Sequence, residues 1–145
     1  MTKAKAITEQ LIRCLENISP RNGYITELAN IYPHAAVAPD RAAFPCALVR
    51  VAADNCTGMA STQATRERLF EIEVVFKRGA TQDDLDAVHV DILRCLGFGK
   101  HEYEREMKGL LTDQQEAEFE FASQGNNFTT VTITVAFPVC TGINR

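Results

Sequence analysis

The sequence predicts an α+β fold, in which an antiparallel or mixed sheet of four to five strands has two helices packed on one face. Apolar residues recur at helical spacing over 7–18 and 85–96. They alternate with polar residues over 70–76 and again on both sides of a turn at 124–127. Because 145 residues with 46% apolar content can build one continuous core, we expect a single domain over 1–145.

The first helix is predicted from an apolar stripe that ends where prolines and glycines begin. The stripe consists of Ile7, Leu11, Leu15 and Ile18. Ser19-Pro20 and Asn22-Gly23 break the pattern. The next segment, 24–32, is rich in aromatic and β-branched residues and ends at Pro33, which favours a short strand. Its Leu28 and Ile31 are also spaced as in a helix, so that alternative stays open.

Two irregular segments flank the next strand. Residues 34–45 contain two prolines and have no periodicity, which predicts an exposed connection. An apolar strand is expected at about 46–52. The polar and small residues of 54–66 then predict a mobile loop of the kind that often carries contacts.

The strongest local signals lie in the middle of the chain. Over 70–76, apolar residues alternate with Glu71 and Glu73, as in a strand with one buried face. Thr81, with Asp84 three residues later, is typical of a capped helix start, and Gly97 of a helix end.

The C-terminal part predicts a β-hairpin that completes the sheet. Phe119 and Phe121 alternate with glutamates, and a threonine ladder alternates with apolar residues over 130–137. Residues 100–115 are charged and are compatible with a short helix or a loop. With both helices on one face, the other face is expected to be bare and to suit contact with another subunit. That face would carry Leu48, Arg50, Leu69, Glu71, Glu73, Val75, Thr130, Thr132 and Thr134.

Composition restricts the class of protein. The net charge is −4, and residues 100–120 hold seven acidic against three basic side chains. No basic stripe that would neutralise nucleic-acid phosphates is visible. No apolar run approaches a membrane span, and no signal-peptide pattern is present, so we expect an intracellular protein without membrane contact. We therefore interpret the five cysteines as reduced thiols. They are Cys14, Cys46, Cys56, Cys95 and Cys140.

The histidines, cysteines and carboxylates of the chain are candidates for catalysis or metal binding. Neither a C-x2-C pair nor an H-x3-H spacing occurs, so no metal or cofactor is expected. His89 and Asp91 lie two apart on a helix and should point in different directions, which disfavours an acid-base pair. Asp83 and Asp84 begin a helix, where carboxylates are favoured by the helix dipole. The chain is thus expected not to be an enzyme, although a cysteine nucleophile at Cys46 or Cys56 stays open.

Four sequence blocks occur in a characteristic order. They are NGYITELANIY at 22–32, FPCALVRV at 44–51, FEIEVVFKRG at 70–79 and DLDAVHVDILRCLG at 84–97. Their order and spacing resemble the tail terminator (tail completion) proteins of long-tailed bacteriophages, whereas 100–145 matches only in general hairpin character.

The resemblance implies a structural virion protein in the phage tail, assembled in the host cytoplasm. Such a subunit forms a homo-oligomeric ring, commonly a hexamer, that caps the tail tube and presents the head-joining surface. Its partners would be its own copies, the tail tube protein and head-completion proteins, with DNA only passing through the channel. A head-completion (neck) protein of the same virion is the main alternative, and a small cytoplasmic enzyme with a cysteine nucleophile is a second one.

Under this interpretation, two regions are expected to form contacts. The segment 54–66 would become ordered on a neighbour or on the tube, and the bare sheet face would pack against another subunit. The interface residues predicted on this basis are Thr57, Met59, Gln63, Arg66, Glu71, Glu73, Thr132 and Thr134. A further hypothesis places acidic residues of 100–120, including Glu102, Glu104 and Glu106, on the channel wall, where their charge would repel DNA. An ordinary solvated face is the alternative for that segment.

Overall fold

A computed structural model describes residues 3–59, 63–97, 112–122 and 128–142. It contains two α-helices, one short 3-10 helix and five strands. The helices are α1 (Lys3–Glu16) and α2 (Gln82–Leu96), with the 3-10 turn at Pro20–Asn22. The strands are β1 (Asn30–Pro33), β2 (Cys46–Met59), β3 (Gln63–Lys77), β4 (Thr112–Glu120) and β5 (Phe128–Gly142).

The five strands form one mixed sheet in the order β1-β2-β3-β5-β4. β1 is parallel to β2, and the three other pairs are antiparallel. Parallel neighbours need a crossover of about a dozen residues, and the segment 34–45 supplies it. The α+β fold with a mixed five-stranded sheet is therefore confirmed.

Both helices pack on one face of the sheet, as the apolar stripes predicted. The stripe of α1 and the inward side of α2 meet alternate residues of β3 and β5 in a single buried cluster. Its largest fully enclosed members include Leu11, Leu15, Ile18, Phe70, Ile72, Leu85, Ile92 and Ile133. The opposite face of the sheet is left without a helix in the part of the chain that the structure describes.

The predicted ends of α2 are confirmed. The Thr81 hydroxyl accepts a hydrogen bond from the backbone N–H of Asp84, and the Asp84 carboxylate accepts one from the backbone N–H of Thr81. This reciprocal capping box satisfies N–H groups that have no partner inside the helix. At the other end, Gly97 adopts φ 96°, a left-handed conformation that favours glycine.

The strand expected over 24–32 is shorter than predicted. β1 contains only Asn30–Pro33, and neither helix nor strand forms over 24–29. The backbone N–H groups of Ile25 and Thr26 bond to the Asp91 carboxylate of α2. A side chain thus satisfies donors that a neighbouring strand would otherwise need to satisfy.

The connection over 34–45 also covers part of one face of the sheet. Its residues 34–44, which we call the strap, place Ala35, Ala38, Ala42 and Phe44 against the face opposite the helices. Leu48 and Val75, expected on a bare face, are only 1% and 4% exposed beneath it. The prediction that this whole face is bare was therefore wrong at its strap end, because a segment without periodicity still buries small apolar side chains.

The prediction of a mobile loop over 54–66 was also wrong. β2 runs on to Met59 and β3 starts at Gln63, with residues 60–62 outside the described part. Two register irregularities, between Val51 and Ala53 and between Cys56 and Gly58, interrupt the pairing of β2 with β3. The ends of β2 and β3 and the paired end of β5 extend the sheet, and we call this extension the arm. It consists of residues 53–59, 63–69 and 136–142. This pairing, and not local alternation, makes the segment a strand.

The C-terminal hairpin is confirmed, with β4 paired antiparallel to β5. The predicted turn at 124–127 lies outside the described residues, as does most of the charged segment 100–115. β4 already begins at Thr112, so the helix-or-loop prediction was wrong for the last residues of that segment. Among the described helices, none combines the length and apolar character required to cross a membrane.

Candidate interaction surface

The part of the second sheet face beyond the strap is a polar surface, which we call the strip. It consists of Arg50 on β2, Glu71 and Glu73 on β3, and Thr132 and Thr134 on β5. Strand register sets Arg50 beside Glu71 and Glu71 beside Thr134, while Glu73 lies beside Thr132. All five side chains are partly exposed. The structure thus brings together the four predicted interface residues of β3 and β5.

Arg50 organises the strip. Its Nε donates to Oε2 of Glu71 at 3.0 Å, and its Nη1 donates to Oε1 of Glu73 at 3.0 Å. A planar guanidinium that engages two carboxylates keeps all three side chains in a defined arrangement. The sequence indicated Arg50 on this face but not its pairing, which depends on the register of β2 and β3.

The strip is acidic in balance. Glu118 and Glu120 of β4 lie beside Thr132 and Thr130 on β5 and are exposed. Together with Glu71, Glu73 and Arg50, these two glutamates give a group of side chains with a formal charge of −3. Such a surface favours a partner with a basic patch.

Cys46 lies at the strap end of the same face and is fully buried. Burial, and secondarily the nearby charge of Glu73, raise the pKa of its thiol. A nucleophilic cysteine needs a lowered pKa and access to substrate. This environment therefore disfavours Cys46 as a nucleophile.

A second polar group lies at the base of the arm, on the helix side of the sheet. The Asp54 carboxylate accepts from Nε of Arg66 and, at 2.8 Å, from Nε of Arg68. Nη2 of Arg66 also donates to the Asp54 carbonyl oxygen at 3.1 Å. Arg66 and Arg68 lie on the same face of β3 as the core residue Phe70. The apolar core therefore ends at Phe70, and an ion-pair network lies beyond it.

The two arginines change the acidity of Asp54. Partial burial alone would raise the pKa of this carboxyl, but the hydrogen bonds and positive charges of Arg66 and Arg68 outweigh it and hold the pKa below its usual range. Asp54 was missed at the sequence level because its partners lie twelve and fourteen residues away, across a pairing that contains irregularities.

The remaining predicted interface residues lie farther along the arm. Thr57 and Met59 are part of β2, and Gln63 begins β3 opposite Gly142 of β5. Their side chains are outside the described part of the structure. The eight predicted residues therefore form two groups, one on the arm and one on the strip, and the two groups are not brought into one site.

The His89 and Asp91 pair is divided as expected. The His89 ring lies 6.4 Å from that of Phe119 on β4. Asp91 is fully buried and accepts from the N–H of Ile25 at 3.1 Å, and from the N–H and hydroxyl of Thr26 at 2.7 and 2.6 Å. Its role is to join α2 to the segment before β1.

The described side chains contain no group of three or more histidine, cysteine or acidic residues placed to hold a metal ion. Cys14, Cys46 and Cys95 are buried, and none of the three forms a disulfide bond. Comparison with protein-family models and with curated proteins finds no significant match for this chain.

Proposed function

We propose that this protein is a tail terminator subunit of a long-tailed bacteriophage. In this role it forms a ring that caps the tail tube and presents the head-joining surface. A hexamer is the ring number that the family resemblance implies. The setting is the virion tail, with assembly in the host cytoplasm, and the partners are its own copies, the tube protein and head-completion proteins.

The observation that carries this proposal is the arm. β3 continues past Phe70, its last residue in the main core, for about seven residues, or roughly 23 Å at strand rise, and it is paired there with β2 on one side and β5 on the other. β1 pairs only with Cys46–Val49 of β2, so the outer edge of β2 along the arm has no partner strand among the described residues. An unpaired edge is able to pair with another chain.

The strip supports the same proposal at a second surface. A ring subunit needs two different patches that meet on neighbouring copies, since head-to-tail contacts close a ring by rotation. The arm and the strip lie on different parts of the molecule and have different chemistry. We assign the arm to contact with a neighbour or the tube, and the strip to packing between subunits.

Removal of most of the β2 and β3 segments of the arm tests the assignment. Replacing residues 56–66 by Asn-Gly closes the hairpin at the paired Asn55 and Glu67 with a two-residue turn. The buried core members lie outside the deleted range, so we expect folding to be retained in circular dichroism and thermal unfolding. Capping should be lost, and electron microscopy should show overlong or uncapped tails.

Arg13→Ala is the matched control, because Arg13 is exposed on α1, away from both surfaces, and capping should be retained. Normal capped tails with the folded arm variant would contradict the arm assignment. Particles that lack the protein altogether separate the two virion roles. Overlong or uncapped tails support a terminator, whereas capped tails that remain unattached to full heads support a neck protein.

A further inference from the structure

The strap covers an apolar patch that would otherwise extend the strip. Cys46, Leu48 and Val75 form this patch, and each is at most 4% exposed. They lie in the same cross-strand rows as Glu73 and Thr130, on the face without helices. The patch is therefore buried by the strap together with Tyr32 of β1, and it is separate from the main core.

Few interactions hold the strap closed. Three of its four inward side chains are alanines, and the fourth, Phe44, is only partly buried and contacts the Phe128 ring at 5.5 Å. Among the described residues, its backbone makes two hydrogen bonds, from His34 to Val49 and, within the strap, from Ala42 to Pro39. Segments with few apolar contacts and few backbone hydrogen bonds open at low free energy.

The backbone conformation of the strap also favours its opening. His34 and Arg41 have φ of 60° and 66°, the left-handed region that residues other than glycine rarely adopt. Both side chains are exposed, so packing does not offset the unfavourable backbone conformation. Opening of the strap would allow both residues to leave this unfavourable backbone conformation.

We propose that the strap opens as a unit in the folded protein and uncovers Cys46, Leu48 and Val75 while the helices and the rest of the sheet stay closed. The strap is then a removable cover over an apolar extension of the strip. In the closed state it keeps the patch from water, and in the open state the patch is exposed to solvent. This motion belongs to the free chain and does not depend on the proposed place in a virion.

The native cysteines report on this opening. In the closed structure Cys46 is 0% exposed, Cys14 5% and Cys95 8%, so static exposure ranks Cys46 as the least reactive. Opening of the strap reverses that order. The full chain is treated with iodoacetamide at several urea concentrations below the unfolding transition, and labelling at each cysteine is measured by peptide mass spectrometry.

We expect Cys46 to be labelled at least about tenfold faster than Cys14 and Cys95, with a rate that depends little on urea because local opening exposes little surface. Labelling of all three cysteines at one rate, with the same steep urea dependence, would overturn the proposal. In that case the strap opens only when the whole domain unfolds.

Phe44→Ala removes the largest side chain of the strap and should increase the Cys46 rate about tenfold, with Cys14 unchanged. Phe44→Leu should restore most of the protection. Val37→Ala is the matched control, because Val37 is 77% exposed in the same strap. An equal increase at Cys46 and Cys14 in Phe44→Ala would show global destabilisation instead and would also overturn the proposal.

Discussion

Two carboxylates of this chain are surrounded by hydrogen-bond donors, but in different ways. Asp91 is fully buried and is bonded to backbone N–H groups and a hydroxyl, whereas Asp54 is partly exposed and is bonded to two arginines. The first joins segments distant in sequence, and the second holds the arm where the core ends. The consequences of removing each therefore differ.

Asp91→Ala should lower the free energy of unfolding by about 2 kcal/mol, because it leaves the N–H groups of Ile25 and Thr26 without their partner. Urea unfolding measures the change. Asp86→Ala is the matched control, since Asp86 is exposed on the same helix and should change stability by less than about 0.5 kcal/mol. Equal effects of the two substitutions would contradict the assigned role of Asp91.

Asp54 should contribute to the pH dependence of stability. Its pKa is lower in the folded than in the unfolded chain, so its contribution is present above the unfolded value of about 3.9 and is lost as pH falls through the folded value. We expect the difference in stability between wild type and Asp54→Asn to be largest near neutral pH and to shrink below about pH 4. Urea unfolding from pH 7 to pH 3 measures it, and a difference that grows on acidification would refute the sign.

Among the elements, α2 is the one that local sequence specifies most completely. Its apolar spacing, capping box and terminal glycine agree with one another, so its bounds were predictable before any tertiary contact was known. Strands β2 and β3 are the opposite case. The sequences of their ends, 54–59 and 63–68, show no apolar alternation, and only pairing with each other and with β5 extends the strands to Met59 and Gln63.

Thr81→Ala should lower the free energy of unfolding by about 1 kcal/mol, because it removes the capping hydroxyl of α2. Ser19→Ala is an informative control: Ser19 also precedes a helical turn, but its side chain makes no capping hydrogen bond. Its substitution should leave helix capping unaffected. Thermal unfolding compares the two, and a loss at Ser19 as large as at Thr81 would argue against the capping explanation.

At the scale of the molecule, the proposed assembly can be tested at the strip. Arg50→Met removes the guanidinium that holds Glu71 and Glu73 in a defined arrangement and should abolish ring formation on tail tubes, while the free energy of unfolding changes by about 1 kcal/mol or less. Arg13→Met, on exposed α1, should assemble normally. Mass measurement and images of tubes incubated with each variant test this, and rings formed by Arg50→Met would remove the strip from the proposed interface.

The α+β class, both helices, the cap at Thr81 and the C-terminal hairpin could be predicted from the sequence, because each depends on periodicity or on residues a few positions apart. The arm, the strap and the Asp91 contact could not. Each depends on burial or hydrogen bonds between segments far apart in the chain, and such contacts exist only once the sheet has formed. The candidate surfaces depend on both local sequence and tertiary contacts. Their residue types were visible in the sequence, but strand register groups them into an arm and a strip.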